Sequence, residues 1–380
     1  MGDARPGILP SQWIRQAIDD GIIESATPIA DDQIQPNSLD LRIGERGHRV
    51  RCSFLPGREG VAKKLDRYRW YDLNLSKHDD DGSFLERNQV YLFPLDESLK
   101  LPKGISGRAN PKSSTGRLDV FTRLVVEDGT AFDEVPDGYH GKLYLEVVPR
   151  SFAIRVRPGD SFAQIRFQRG NAQLADAEVA ELLKTEPMVL SRGREAIPVD
   201  TLTISSGVWL SVQLTKSAEA EDDIIGFQAR KNTQPIDLRD RGLDPNEYWD
   251  VIRSGTGPVI LEPDEFYIFA SQELVRLPPE YCAEMVPFDA GSGELRTHYA
   301  GFFDSGFGFN RDGQSEGAAV VLEIRNRDVP FLVDNSNVLF RLLVLRNTEP
   351  PEILYGADRP SNYQGQKLKL AKQFGAPRGG

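Results

Sequence analysis

Cysteine and histidine are scarce in this chain. Two cysteines, Cys52 and Cys282, among 380 residues cannot build a disulfide framework, and His48, His78, His140 and His298 are too scattered to form a ligand cluster with them. A structural zinc site is therefore not expected. Basic residues are also in deficit. Lys plus Arg is 46 against 57 for Asp plus Glu, a formal charge of −11, which is the wrong sign for coating nucleic acid or an anionic membrane surface. Any anionic ligand must be met by a local group of cations. No stretch approaches 18 consecutive apolar residues, and Met1 to Pro10 shows no basic region followed by an apolar run. The expectation is a soluble, cytoplasmic protein without nucleic-acid or membrane partners.

What is present is turn-forming residues and enough apolar side chains for a core. Gly and Pro number 34 and 25, with 39% hydrophobic and 9% aromatic residues, and 380 residues allow two or three domains at roughly 100–200 each. One amphipathic helix is predicted after Leu9, with Ser11 as cap, Trp13, Ile14, Ala17 and Ile18 as the apolar stripe and Gly21 as the stop; a second is predicted over 175–183. The rest reads as short strands, among them 39–43, 89–93, 142–148 and 153–156, punctuated by Gly and Pro. That pattern predicts a mainly β chain with a sandwich or barrel-like core.

The chain also repeats itself. Tyr91-Leu-Phe-Pro-Leu-Asp-Glu-Ser-Leu-Lys-Leu-Pro matches Tyr267-Ile-Phe-Ala-Ser-Gln-Glu-Leu-Val-Arg-Leu-Pro at an offset of 176 residues. The same offset sets Pro111 on Pro287, and one further residue sets Leu145-Glu146-Val147 on Leu322-Glu323-Ile324. Gln35-Pro-Asn-Ser-Leu-Asp-Leu-Arg has a looser echo in Gln234-Pro-Ile-Asp-Leu-Arg. A duplicated β unit is expected, with residues 1–195 as the first copy and 196–380 as the second, divided in the polar stretch around Gly193 to Val199.

Three segments carry chemistry. Pro111-Lys-Ser-Ser-Thr-Gly-Arg-Leu places the hydroxyls of Ser113 and Ser114 beside a glycine, between the cations Lys112 and Arg117, a composition suited to a phosphate chain; a polar turn with solvated cations has the same composition. Neither a P-loop nor a G-x-G-x-x-G motif after a strand occurs. Thr297-His-Tyr-Ala-Gly-Phe-Phe-Asp-Ser-Gly-Phe-Gly is a Gly-rich hairpin in which Ala300 and Gly301 leave room for a flat ring. The strand after it carries Glu323 between Leu322 and Ile324, either as a partly desolvated acid or as an ion-pair partner of Arg325 or Arg341. The tail Tyr355-Gly-Ala-Asp-Arg-Pro-Ser-Asn-Tyr-Gln-Gly-Gln-Lys reads as a flexible segment that closes over a ligand or as a plain polar terminus.

Taken together and in this order, these segments resemble the dCTP deaminase branch of the dUTPase-like superfamily. The resemblance also takes in the opening helix with Gln35-Pro-Asn-Ser-Leu-Asp-Leu-Arg-Ile-Gly, the Pro158-Gly159 turn leading to Gln164, and Tyr363-Gln-Gly-Gln. It implies duplicated, distorted β-barrel or jelly-roll units with a few short helices. It also implies hydrolytic removal of the 4-amino group of dCTP in pyrimidine deoxynucleotide synthesis, giving dUTP and ammonia, with Mg2+ carried on the triphosphate. The chain has no C-x-x-C, so the cysteine-ligated zinc of the zinc deaminases has no counterpart, and a carboxylate is expected to activate the water. Hydrolysis of dUTP, alone or as a second activity, and a non-catalytic nucleotide-binding regulator stay open as alternatives.

Half-length members of the family form homotrimers, with the Ser-Ser-x-x-Arg segment supplied by one subunit and the hairpin and strand Glu by the next. Here the two halves have diverged. The first keeps Lys112-Ser-Ser-Thr-Gly-Arg, but its hairpin, Thr130-Ala-Phe-Asp-Glu-Val-Pro-Asp-Gly-Tyr, carries an extra residue and Pro136-Asp137 where the family has Asp-Pro. The second keeps Ala300, Asp304 and Gly306, but Asp289, Ala290 and Gly293 stand where Ser113, Ser114 and Arg117 stand in the first, and Asp289 would repel a triphosphate. The expected site residues are therefore Glu323, Ser113 and Arg117 for catalysis, and Lys112, Ser114, Ala300, Asp304, Tyr355, Tyr363 and Gln366 for the substrate. Glu146 is the alternative base. Asn362 stands where many relatives have Lys. A homo-oligomer is compatible with this pattern, as is a monomer with internal pseudo-symmetry.

Overall fold

The fold comes from a computed structural model, which describes residues 5–77, 82–216, 222–255, 257–286, 296–297, 301–309, 316–326, 328–358, 363 and 365–376. The chain forms two units. The first is Met1–Ala172 with Asn232–Asp240 and Asn347–Glu352; the second is Gln173–Lys231, Arg241–Arg346 and Ile353–Gly380.

In the first unit, helix Ser11–Asp19 buries Ser11, Ile14 and Ala17, and the Trp13 ring lies 5.3 Å from that of Phe167. Its stop is a glycine in the left-handed region: Gly21 (φ +68°) donates to Ile18 O and Ile22 to Ala17 O, which satisfies two carbonyls of the last turn. Ser11 is the first helical residue rather than the cap, because Pro10 occupies the cap position. One sheet joins Gly7–Ile8, Ser161–Arg169, Ile105–Pro111 and Glu134–Val135, with Leu39–Arg42 also on Ser161–Arg169. The other runs Arg69–Asn74, Arg46–Val50, Val90–Lys100, His140–Pro149, Val120–Val126, with Ile23–Ser25 on Val90–Lys100. Strand alternation sends Leu143, Leu145 and Val147 to one face, all fully buried. The opposite face carries Tyr144, which packs with Leu92, Val125 and Val50 under Val61 and Leu65 of helix Gly60–Tyr68.

The second unit repeats this plan. Trp249–Arg253, Ile224–Ala229, Phe266–Val275, Ala318–Arg325 and Arg296–Thr297 form one sheet, with Val189–Leu190 on Phe266–Val275; Val208–Ser211, Val338–Arg346, Tyr281–Met285 and Phe302–Phe303 form the other. The registers superpose pair for pair: Leu145 lies opposite Phe93 and Glu146 opposite Leu92, as Leu322 lies opposite Phe269 and Glu323 opposite Ile268. The repeat survives in sequence where both copies use one device. A side chain on Gly47 would meet the Phe93 ring at 2.3 Å, and one on Gly226 the Phe269 ring at 2.5 Å. The Glu86 N–H donates to the Tyr91 hydroxyl at 3.0 Å, and the Glu262 N–H to that of Tyr267 at 2.9 Å.

Two features differ from the sequence reading. The division falls at 172/173, ahead of the 195/196 boundary, because helix Asp176–Thr185 and strand Val189–Leu190 are the second unit's counterparts of Ser11–Asp19 and Ile23–Ser25. The Gln234–Arg239 echo is not a copy of Gln35–Arg42. Ile236–Asp237 pairs in parallel with Ile154–Val156 of the first unit, whereas Leu39–Arg42 runs antiparallel to Ser161–Arg169. This strap is held by Asp237, which accepts two bonds of 2.7 Å from the Arg157 guanidinium. No helix of the described residues is long and apolar enough to cross a membrane.

Candidate active site

Strand Ile105–Pro111 delivers the phosphate segment. The chain turns at Lys112, extended at ψ 149°, into the short helix Ser113–Gly116, where Thr115 and Gly116 both donate to Lys112 O. Ser113 and Ser114 open this turn half-buried, while Thr115 and Arg117 are buried behind it. The Lys112 ammonium is ion-paired with Asp40 of strand Leu39–Arg42. Two hydroxyls, a cation and a tight turn of backbone thus lie together in the first unit, the chemistry an anionic chain requires.

The first unit's strand glutamate is enclosed by the unit's own groups. Glu146 is 3% exposed, and burial pushes its carboxyl up, opposed by the Ser53 hydroxyl that donates to it and by Arg123 on the facing strand. The Arg123 guanidinium stands 4.4 Å from the Phe121 ring and 4.5 Å from the Phe132 ring. Asp133 is next to Phe132 in the chain. Burial drives its carboxyl up to about 7 against a 2.7 Å bond from the Leu124 N–H, while Arg123 and Arg108 lower it and Glu146 raises it. Hairpin register identifies what changed. Val135 lies opposite Gly107 and Phe303 opposite Ala283, so Phe132 and Asp133 occupy the places of Ala300 and Gly301. Pro136 takes the place of Asp304. Where the second unit's hairpin sequence has small residues, the first has a phenylalanine whose ring meets the Arg123 guanidinium.

In the second unit the hairpin turn, the glutamate strand and the tail are brought together. Glu323 is 7% exposed on strand Ala318–Arg325. Asp304 and Ser305 are buried in a turn where the Ser305 hydroxyl donates to Tyr281 O at 2.8 Å and Gly306 to Leu277 O at 2.9 Å. Gly306 is required there: its φ is +97°, and a side chain would approach Tyr355 N to 2.7 Å. Tyr355 docks on this turn through its N–H to Ser305 O (2.9 Å), its ring 5.9 Å from Phe307. Gln366, 7% exposed, is tied to Ala319 on the Glu323 strand twice: its side-chain Nε2 donates to Ala319 O and its main-chain carbonyl accepts from the Ala319 N–H, each at 3.0 Å. Tyr363 is buried, with the Lys369 ammonium 5.9 Å from its ring. Tyr355 is thus docked on the hairpin turn, and the Gln366 side chain is bonded to the strand backbone. Ala300, Asp289, Ala290, Gly293 and Asn362 lie outside the described residues. Among the described residues, no three His, Cys, Asp or Glu side chains cluster to hold a metal ion.

The sequence model of the 2'-deoxycytidine 5'-triphosphate deaminase N-terminal domain matches residues 5–171, and that of the C-terminal domain of the same family matches residues 175–374. The chain belongs to the 2'-deoxycytidine 5'-triphosphate deaminase family. The two matches meet at the division between the units. The crystal structure of 2'-deoxycytidine 5'-triphosphate deaminase from Agrobacterium tumefaciens is similar at 40% identity and a TM-score of 0.82, over 90% of this chain and 99% of that one. A dCTP deaminase from Ignicoccus hospitalis is 29% identical over 142 residues, which are 37% of this chain and 72% of that protein. A dUMP-forming dCTP deaminase from Sulfurihydrogenibium sp. is 30% identical over 165 residues, 43% of this chain and 83% of that protein. Relatives matched along most of their own length but less than half of this one accord with a double-length member of the family, mainly β and dUTPase-like in each unit.

Sequence reasoning missed the Asp40 carboxylate behind Lys112 and the Arg123–Phe132 contact beside Glu146. Asp40 lies inside the Gln35–Gly44 motif, so its position was visible, but only sheet pairing brings it to Lys112.

Proposed function

We propose that this protein hydrolyses dCTP to dUTP and ammonia, with Glu323 as general base and acid. Glu323 takes a proton from the water that attacks C4 of the cytosine ring and returns one to the departing amino group, so that water and dCTP leave as dUTP and ammonia. Lys112, Ser113, Ser114 and Arg117 bind the triphosphate and stabilise charge; Asp304 and Ala300 bind the nucleoside, with Tyr355, Tyr363 and Gln366 bracing that side. Magnesium enters as part of the substrate, carried on the phosphate oxygens, a reading that suits a protein offering hydroxyls and cations there. The observation that carries Glu323 over Glu146 is what surrounds Glu146: Arg123 on the facing strand, 4.5 Å from the Phe132 ring, and the Ser53 hydroxyl already serve its carboxyl within the first unit.

Ammonia release from dCTP tests the assignment. Glu323→Gln should abolish turnover while nucleotide binding persists, and Glu146→Gln should keep activity within about threefold; the reverse pattern overturns the choice of base. The dUMP-forming names among the relatives favour measuring pyrophosphate as well. Pyrophosphate with ammonia establishes a second hydrolytic step, and pyrophosphate without ammonia rejects deamination.

A further inference from the structure

We propose that Asp40 is a positioning residue that holds the Lys112 ammonium at the head of the Ser113–Gly116 turn for the substrate triphosphate; this rests on the dCTP reading above. The pair is layered. The Asp40 side chain is 9% exposed and that of Lys112 25%, so the carboxylate lies beneath and the ammonium faces outward. An ammonium has three donors, and one bond to Asp40 leaves two for phosphate oxygens. A lysine head on a four-carbon stem would otherwise sample many rotamers, so pinning it during folding removes that ordering from the binding step. The carboxylate is itself fixed in place. Asp40 sits on strand Leu39–Arg42, where its carbonyl accepts from Gln33 Nε2 at 3.0 Å, and Arg42 donates to Glu97 through its N–H (2.9 Å) and its Nε (3.0 Å).

The duplicated half separates the fold-supporting part of this arrangement from the part that serves the ligand. Asp40 pairs with Gln164 as Trp209 pairs with Arg341, which puts Trp209 in the place of Asp40, and Phe288 follows Pro287 as Lys112 follows Pro111. Both members of the ion pair are absent from the copy whose phosphate segment has decayed. The strand anchor is retained there: Ser211 N–H donates to Glu273 at 2.9 Å, the counterpart of Arg42 N–H to Glu97. An ion pair needed only to hold the strand would have no reason to disappear along with Ser113, Ser114 and Arg117.

Steady-state deamination of dCTP by the full chain tests the role. Asp40→Ala should raise KM about tenfold with kcat changed less than threefold, the scale of one charge-assisted contact. Asp40→Asn keeps an acceptor for the ammonium and should stay within about threefold of wild type. Lys112→Met should match Asp40→Ala, and the double variant should add nothing further. A folded Asp40→Ala protein with unchanged or lower KM, or additive effects in the double variant, overturns the proposal; a purely structural role would move Tm and leave KM in place. Calorimetric binding of inorganic tripolyphosphate to the same proteins does not depend on the reaction. The same pattern in Kd supports Asp40 even in a protein that releases no ammonia, a result that would count against deamination alone, and a flat Kd series rejects Asp40 whatever the activity.

Discussion

The carboxylate pair in the first unit should leave a signature in stability against pH. Asp133 titrates near 3.8 when unperturbed and is pushed up to about 7 in the fold, chiefly by burial. Between those values the folded state holds a proton that the unfolded chain has lost. Stability contributed by this group therefore falls as pH rises from about 4 to 7 and levels off above. At ~1.4 kcal/mol per unit of displacement the ceiling is about 4 kcal/mol. The carboxyl is enclosed but the residue as a whole is half-buried, so screening brings the expectation to about 2 kcal/mol. Asparagine is the informative replacement. It keeps an acceptor for the Leu124 N–H, tolerates the left-handed backbone at φ +63°, and carries no charge at any of these pH values. At pH 8, Asp133→Asn should raise the first unit's melting transition by about 4–8 °C, a gap that narrows steadily toward pH 4. Scanning calorimetry at pH 5 and pH 8 measures it. A variant less stable than wild type at pH 8, or a difference independent of pH, refutes the account of a buried acid beside Glu146.

Other expectations concern the duplicated framework. Gly47→Ala and Gly226→Ala each force a methyl group against a phenylalanine ring and should cost about 1–3 kcal/mol in urea titrations. If one is tolerated and the other is not, the two units do not share the packing device described above. Asp237→Ala removes the carboxylate from Arg157, whose side chain is 11% exposed, and should lower the stability of the first unit by about 2 kcal/mol. It should also speed trypsin cleavage after Arg239 and Arg241; an unchanged cleavage rate would mean that the strap is held by its strand pairing alone.

Local pattern and repetition carried much of this protein into view. The 3.6-residue stripe before Gly21, the short apolar runs that carry Glu146 and Glu323, and the 176-residue offset are properties of neighbours along the chain or of one segment against another, and they anticipated the helix, the strands and the paired units. The turn at Lys112–Arg117 and the one around Gly306 were legible as turns for the same reason, each being a short run with its glycine and polar residues side by side. What the sequence left open was contact between distant residues. Gln234–Arg239 looked like a copy of Gln35–Arg42, yet edge pairing made it a parallel strap, because a six-residue likeness contains no information about which strand it will meet. The tail left two readings open, because composition cannot register that the Gln366 side chain and carbonyl both bond to Ala319 of strand Ala318–Arg325. Charge was the other blind spot. The sequence showed −11 overall and a few cations around Ser113, but only the tertiary structure brought Asp40 under Lys112, because side chains 72 residues apart interact through the sheets that carry them.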